Sequence, residues 1–220
     1  MLESRGRTAG LWRPGSGLSR RARRRQVSRV IDSPPRFFFD FVDPLSYLVE
    51  LELVAAETEL GIEVERVPLE LRPPPAPLRL SGDEPWRGRW ELARELAAEQ
   101  RVALDAPTLV PWSRKAHELL LYARAQGAEP AARSAIFRAY FEEGADIGRI
   151  DVLVDVGRAV GLDVTGTKAV LDVDRHQEDV LAARRRAAEA DAETPPLLLF
   201  GAARLEGFHN RVTLSTFLAP

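Results

Sequence analysis

The sequence predicts an α/β layered domain carrying an inserted helical subdomain. Three observations lead there. A strand, a helix and a second strand can be read in order between residues 36 and 71, and an almost unbroken helical period runs from about residue 85 to 187. An apolar strand, a glycine turn, another strand and a short helix close the chain. With 220 residues, 45% of them apolar and 29% charged, the chain is long enough for one domain with a substantial core.

The first strand, Arg36–Val42, holds three consecutive phenylalanines, the pattern of a strand buried on both faces. Asp43-Pro44 reads as a helix start, because Asp is a favoured N-cap and proline suits the first helical position. Leu48, Leu51, Val54 and Ala55 fall on one helical stripe predicted to face the core, with Glu50 solvated beside it and Gly61 as C-cap. Ile62–Leu71 alternates apolar and polar residues and forms the second strand, parallel to the first. Pro73–Pro77 ends this unit, since proline interrupts ladders and helices alike.

Helices are predicted over 88–101, 111–126, 130–143, 148–160 and 166–187, punctuated by Gly127, Gly144 and Gly161. Within 111–126, Trp112, Ala116, Leu119, Leu120 and Ala123 line one face. Trp86, Trp90 and Trp112 read as packing anchors rather than as walls of a ligand cleft. Leu197–Phe200, Gly201 and the residues after it form a hairpin, and a last helix spans Val212–Leu218.

Composition narrows the chemistry. There is no cysteine, which excludes a disulfide framework, a thiolate metal site and dithiol catalysis. His117, His176 and His209 lack metal-ligand spacing. Residues 1–30 hold nine arginines against one acid, Glu3, a net of +8 that leaves −10 for the rest of a chain whose total is −2. Residues 1–33 are therefore read as a disordered basic arm before a domain at 34–220. Such an arm reads as a solvated tail, or as residues added by an upstream start, in preference to a segment that contacts a polyanion, and nucleic acid is not the partner expected. No apolar run of about 7–15 residues follows the arm, as a secretory signal requires, and none reaches the roughly 20 of a membrane span. The expected location is the cytoplasm.

The run RFFFDFVDPLSYL, Arg36 to Leu48, resembles the first strand and helix start of the DsbA family. Val67–Pro73 is similar to the second strand and proline-rich exit of FrnE-like members. Lys115–Ala123, Ile136–Ile147 and Gly161-Leu162-Asp163 are similar to segments of the family's insertion. The resemblance covers about residues 36–218 and implies a thioredoxin-like fold with an inserted helical subdomain over about 85–187. It also implies thiol-disulfide oxidoreductase ancestry, with a Cys-x-x-Cys pair at the four positions that here read Asp43-Pro44-Leu45-Ser46. Such enzymes need an attacking thiolate and a resolving thiol, and this chain has neither. The family's cis-proline matches Pro195, after Thr194, where main-chain groups would hold an extended peptide. The candidate site is thus Asp43 and Ser46 at the catalytic positions, with Thr194 and Pro195 for binding.

A related branch, the glutathione-dependent 2-hydroxychromene-2-carboxylate isomerases and kappa-class transferases, has serine where Asp43 stands. No cofactor is expected from the residues themselves; this likeness offers glutathione as a candidate one, and a peptide or small thiol as a candidate partner. A carboxylate about 4 Å from a thiolate costs about 4 kcal/mol at an effective dielectric near 20. The helix dipole returns only about 0.3–1 kcal/mol per anion, so Asp43 opposes thiolate activation unless the ligand sits toward Ser46. Two functions follow. The chain is a degenerate family member, inactive in dithiol redox, that keeps a ligand- or peptide-binding groove. Alternatively it is a non-redox enzyme, such as a glutathione-dependent isomerase or transferase, in which Asp43 acts as a base or cation ligand rather than as a helix cap.

Overall fold

A computed structural model of the chain describes residues 33–219; the basic arm lies outside the described residues. Strand β1 (Arg36–Phe39) leads into helix α1 (Pro44–Leu60) and strand β2 (Glu65–Pro68), which pairs with β1 in parallel. Two-residue strands β3 (Arg79–Leu80) and β4 (Leu109–Val110) pair with each other in a separate ribbon. Between β2 and the last hairpin run α2 (Trp86–Gln100), α3 (Arg114–Ala125), α4 (Glu129–Phe141), α5 (Ile150–Ala159), α6 (Val164–Asp172) and α7 (Gln177–Glu189). The hairpin β5 (Leu197–Phe200) and β6 (Ala203–Glu206) precedes α8 (Arg211–Leu218), and the main sheet has the order β2-β1-β5-β6 with β5 antiparallel to β1.

The phenylalanine run does what its pattern predicts. Because side chains alternate across a strand, Phe37 and Phe39 join one core with Phe41, Tyr47, Phe137 and Phe141. Phe38 joins another on the opposite face with Val67, Leu197 and the alanines Ala183 and Ala187 of α7. Helix α1 starts on the Asp43 cap with proline at its first turn and stops at Gly61, whose φ of 65° is the left-handed conformation glycine tolerates best.

Several boundaries and faces differ from the sequence prediction. The stripe on α1 is rotated: Leu48, Val49, Leu53 and Ala56 are buried, whereas Leu51 and Val54 are 39% and 45% exposed. The reason is that α1 is covered by α2 and α8 as well as by the sheet. Glu50 is not solvated; it lies 5% exposed between two arginines. The helix predicted over 166–187 is two, parted where Asp174 takes φ 52° and its carboxylate receives Lys115 of α3. Trp112 precedes α3 rather than lining it, is partly exposed, and donates its indole N–H to Ala76 O. Trp86 and Trp90 are buried anchors.

Candidate functional site

The turn from β1 into α1 brings the altered positions 43 and 46 onto the end of the sheet. Asp43 and Ser46 are both wholly buried. Asp43 Oδ2 accepts the Ser46 backbone N–H at 2.9 Å, as an N-cap does, and also the Ser46 hydroxyl at 2.6 Å. Its Oδ1 accepts both Nε and Nη2 of Arg89, at 2.8 and 2.6 Å. A carboxylate offers about four lone-pair sites, and here four donors fill them. Burial pushes the Asp43 carboxyl above its ordinary range, while the charge of Arg89 and the donors of Ser46 pull against that rise.

Arg89 lies on α2, 46 residues from Asp43. The same Nη2 donates to Pro195 O at 2.7 Å, so one guanidinium ties the α1 start, the insertion and the approach to β5. Pro195 is buried, has no N–H, and its carbonyl is engaged; Thr194 is exposed. Thr194 borders a cup of about 350 Å³ with Asp191, Glu193, Arg204 and Glu206. At this approach to β5 the cis peptide bond is Pro195–Pro196, not Thr194–Pro195. Of two adjacent prolines it is Pro196 that directly precedes β5, and its carbonyl accepts Gly207 N–H at 2.9 Å.

Beneath the turn sits a second buried polar group. Asp40 Oδ2 accepts Leu71 N–H at 2.7 Å and its Oδ1 is 3.2 Å from His117 Nε2. Glu70 is paired with Arg114, and burial raises its carboxyl pKa against the pull of that arginine. None of Asp40, His117 and Arg89 is marked for the site by the sequence pattern. Asp40 alone offered a signal, as the one acid within the phenylalanine run.

A wider opening lies elsewhere, between α1 and α4 over the start of β2, with a volume of about 670 Å³. Leu51 and Val54 form one wall and Phe137 and Arg133 the other. Tyr47 donates to Glu142 at 2.6 Å at one end; burial, then this carboxylate, pushes the phenol well above its usual range and keeps it a neutral donor. Along the groove runs a buried network: Glu50 accepts from Arg66 and Arg133, Arg66 also donates to Glu57, and Arg133 to Glu129. Among the described residues no cluster of His, Asp or Glu is arranged to hold a metal ion, and no helix is long and apolar enough to cross a membrane.

A parallel pair joined by a helix, an antiparallel hairpin after a cis-proline, and a helical insertion between them define a thioredoxin-like protein. A family model for DsbA-like thioredoxin domains matches residues 36–212, and the chain belongs to that family. It is 28% identical over 171 residues to the uncharacterised protein YwbO of Bacillus subtilis, spanning 76% of this chain and 86% of YwbO. Among solved structures it is similar to a probable DsbA oxidoreductase from Streptomyces coelicolor, with a TM-score of 0.73, 21% identity, and 84% and 88% of the two chains covered. A 2-hydroxychromene-2-carboxylate isomerase gives 0.65 at 19% identity over 80% of this chain and 89% of that one. The cytosolic disulfide reductase DsbM of Pseudomonas aeruginosa gives 0.64 at 18% identity over 84% and 97%. The chain is thus a family member without cysteine, and dithiol exchange has no nucleophile in it.

Proposed function

We propose that this protein acts by binding rather than by catalysis, and that its ligand, a small amphipathic molecule or a short peptide, occupies the groove between α1 and α4. The observation that carries this reading is the saturation of Asp43: a general base needs a free lone pair within reach of substrate, and Ser46 and Arg89 take all four. The engaged carbonyl of Pro195 likewise argues against peptide capture beside that residue. The α1–α4 groove has the size of a ligand pocket, commonly about 300–1,000 Å³.

Glutathione is the first probe, because DsbM has also been solved with it. The alternative, a glutathione-dependent isomerase or transferase, keeps the ligand near Ser46. Extended peptides complete the screen, read as thermal stabilisation. A ligand at about 100 times its Kd stabilises by about 2.7 kcal/mol, roughly 5–11 °C for a domain of this size. Val54→Arg, on the exposed wall of the groove, is expected to abolish that shift. Stabilisation by glutathione that survives Val54→Arg and vanishes in Ser46→Ala would support the alternative and refute the groove. The proposal takes residues 34–220 as the folded unit and the cytoplasm as its location; truncation at Ser33 should leave Tm unchanged, and cell fractionation checks the compartment.

A further inference from the structure

A second opening lies at the far end of β1 from the altered turn. Register places Arg36, Leu199 and Arg204 in one row across β1, β5 and β6, directly opposite one another and so on one face of the sheet. Strand neighbours are about 4.8 Å apart, which sets the two arginine backbones roughly 10 Å apart with Leu199 between them. Helix α7 crosses this face, and its Arg186 completes the wall of a pocket of about 460 Å³. The two-residue hairpin loop Gly201-Ala202 closes it; Gly201 has φ 60°, the conformation glycine supplies at the first position of a type II′ loop.

The charge there is unbalanced. Three guanidiniums border the pocket and one carboxylate, Glu189, joins them, a local net of +2. Arg204 is partly engaged, by Glu206 at 2.7 Å and by Asp191 O at 3.0 Å. Arg36 and Arg186 have no carboxylate within 4.0 Å among the described residues, and Arg36 lies over the Phe38 ring at 5.7 Å. We propose that this pocket binds a phosphate group carried by a small molecule. Guanidinium groups present planar forks of N–H donors that match phosphate oxygens, and the pocket stays net positive with Glu206 held by Arg204. A nucleic-acid backbone fits poorly. On the other side of Arg204 the surface turns acidic at Asp191, Glu193 and Glu206, which interrupts any basic track.

The test is the Kd of inorganic phosphate, of AMP and of adenosine for the full chain, by calorimetry at constant ionic strength. Arg36→Gln and Arg186→Gln remove guanidiniums that hold no ion pair among the described residues, so both should fold, and circular dichroism checks this. Each is expected to raise the Kd at least fivefold, and the double variant at least twentyfold. Arg185→Gln, which removes the same charge from the same helix outside the pocket, should change it less than twofold. Binding of AMP and phosphate but not adenosine identifies the phosphate as the recognised group, and tighter binding of AMP than of phosphate identifies an organic carrier. Equal loss in Arg185→Gln and Arg186→Gln, or no saturable binding by the wild type, overturns the proposal.

Discussion

Replacing Arg89 with methionine tests the altered site most directly. The substitution keeps much of the side-chain length but removes both donors to Asp43 Oδ1 and the donor to Pro195 O. Asp43 is fully buried, whereas Arg89 is 23% exposed, so the variant strands a carboxylate in the interior while giving up only a partly wet guanidinium. Removing one partner of a buried pair costs about 3–5 kcal/mol, because the remaining charge is uncompensated. At about 2–4 °C per kcal/mol for a domain of this size, Tm should fall by roughly 6–20 °C. The loss should depend on pH with a definite sign. Burial already raises the Asp43 carboxyl, and Arg89 is the largest opposing influence. Without it the folded-state pKa climbs further above the unfolded value. A raised carboxyl pKa contributes stability at low pH that is lost as pH rises through the folded pKa. The gap between wild type and Arg89→Met should therefore narrow as pH falls from 7 toward 5. Asp43→Asn in the Arg89→Met background should recover part of the loss. Differential scanning calorimetry across that range decides the matter. A Tm change under 2 °C, or a gap that widens in acid, would refute the claim that Arg89 compensates Asp43.

Two further variants probe neighbouring features. Glu50→Leu leaves Arg66 and Arg133 sharing only Glu57 and Glu129, and should cost about 3 kcal/mol in urea unfolding; a loss under 1 kcal/mol would show the network to be cosmetic. In Asp43→Cys/Ser46→Cys the Arg89 charge and the α1 N-terminus both favour a thiolate, so a thiol should titrate below the usual value of about 8.5. The same variant should acquire insulin-reducing activity that the cysteine-free parent lacks, and an ordinary thiol pKa in a folded variant would mean that the redox turn is placed wrongly.

Much of this was legible in the residues. The phenylalanine run, the Asp43-Pro44 start, the Gly61 stop and the closing hairpin are local signals, each decided within a few residues, and the element types follow from them. What could not be read is what depends on distant partners. Arg89 is one of many arginines in a helical stretch, and no spacing marks it as the counter-charge of a residue 46 positions away. Glu50 looks solvated by composition, yet β2 and α4 each send it an arginine. The buried face of α1 differs from the predicted stripe for a related reason: apolar Leu51 and Val54 fit a helical stripe, but what covers a helix is set by its neighbours in space. The choice between Pro195 and Pro196 likewise turned on where the next strand begins.

The guanidinium of Arg89 also has a mechanical consequence. It holds three segments distant in sequence, the start of α1, helix α2 and the approach to β5, so the insertion cannot swing away from the sheet at this point without breaking three short charge-assisted bonds together. Local opening draws on regions with few buried contacts, and this seam is the reverse. The Ser46 amide, clamped beneath it, is expected to exchange with solvent only through global unfolding. Where two thiols would need freedom to meet and part, the molecule instead carries a fixed clasp.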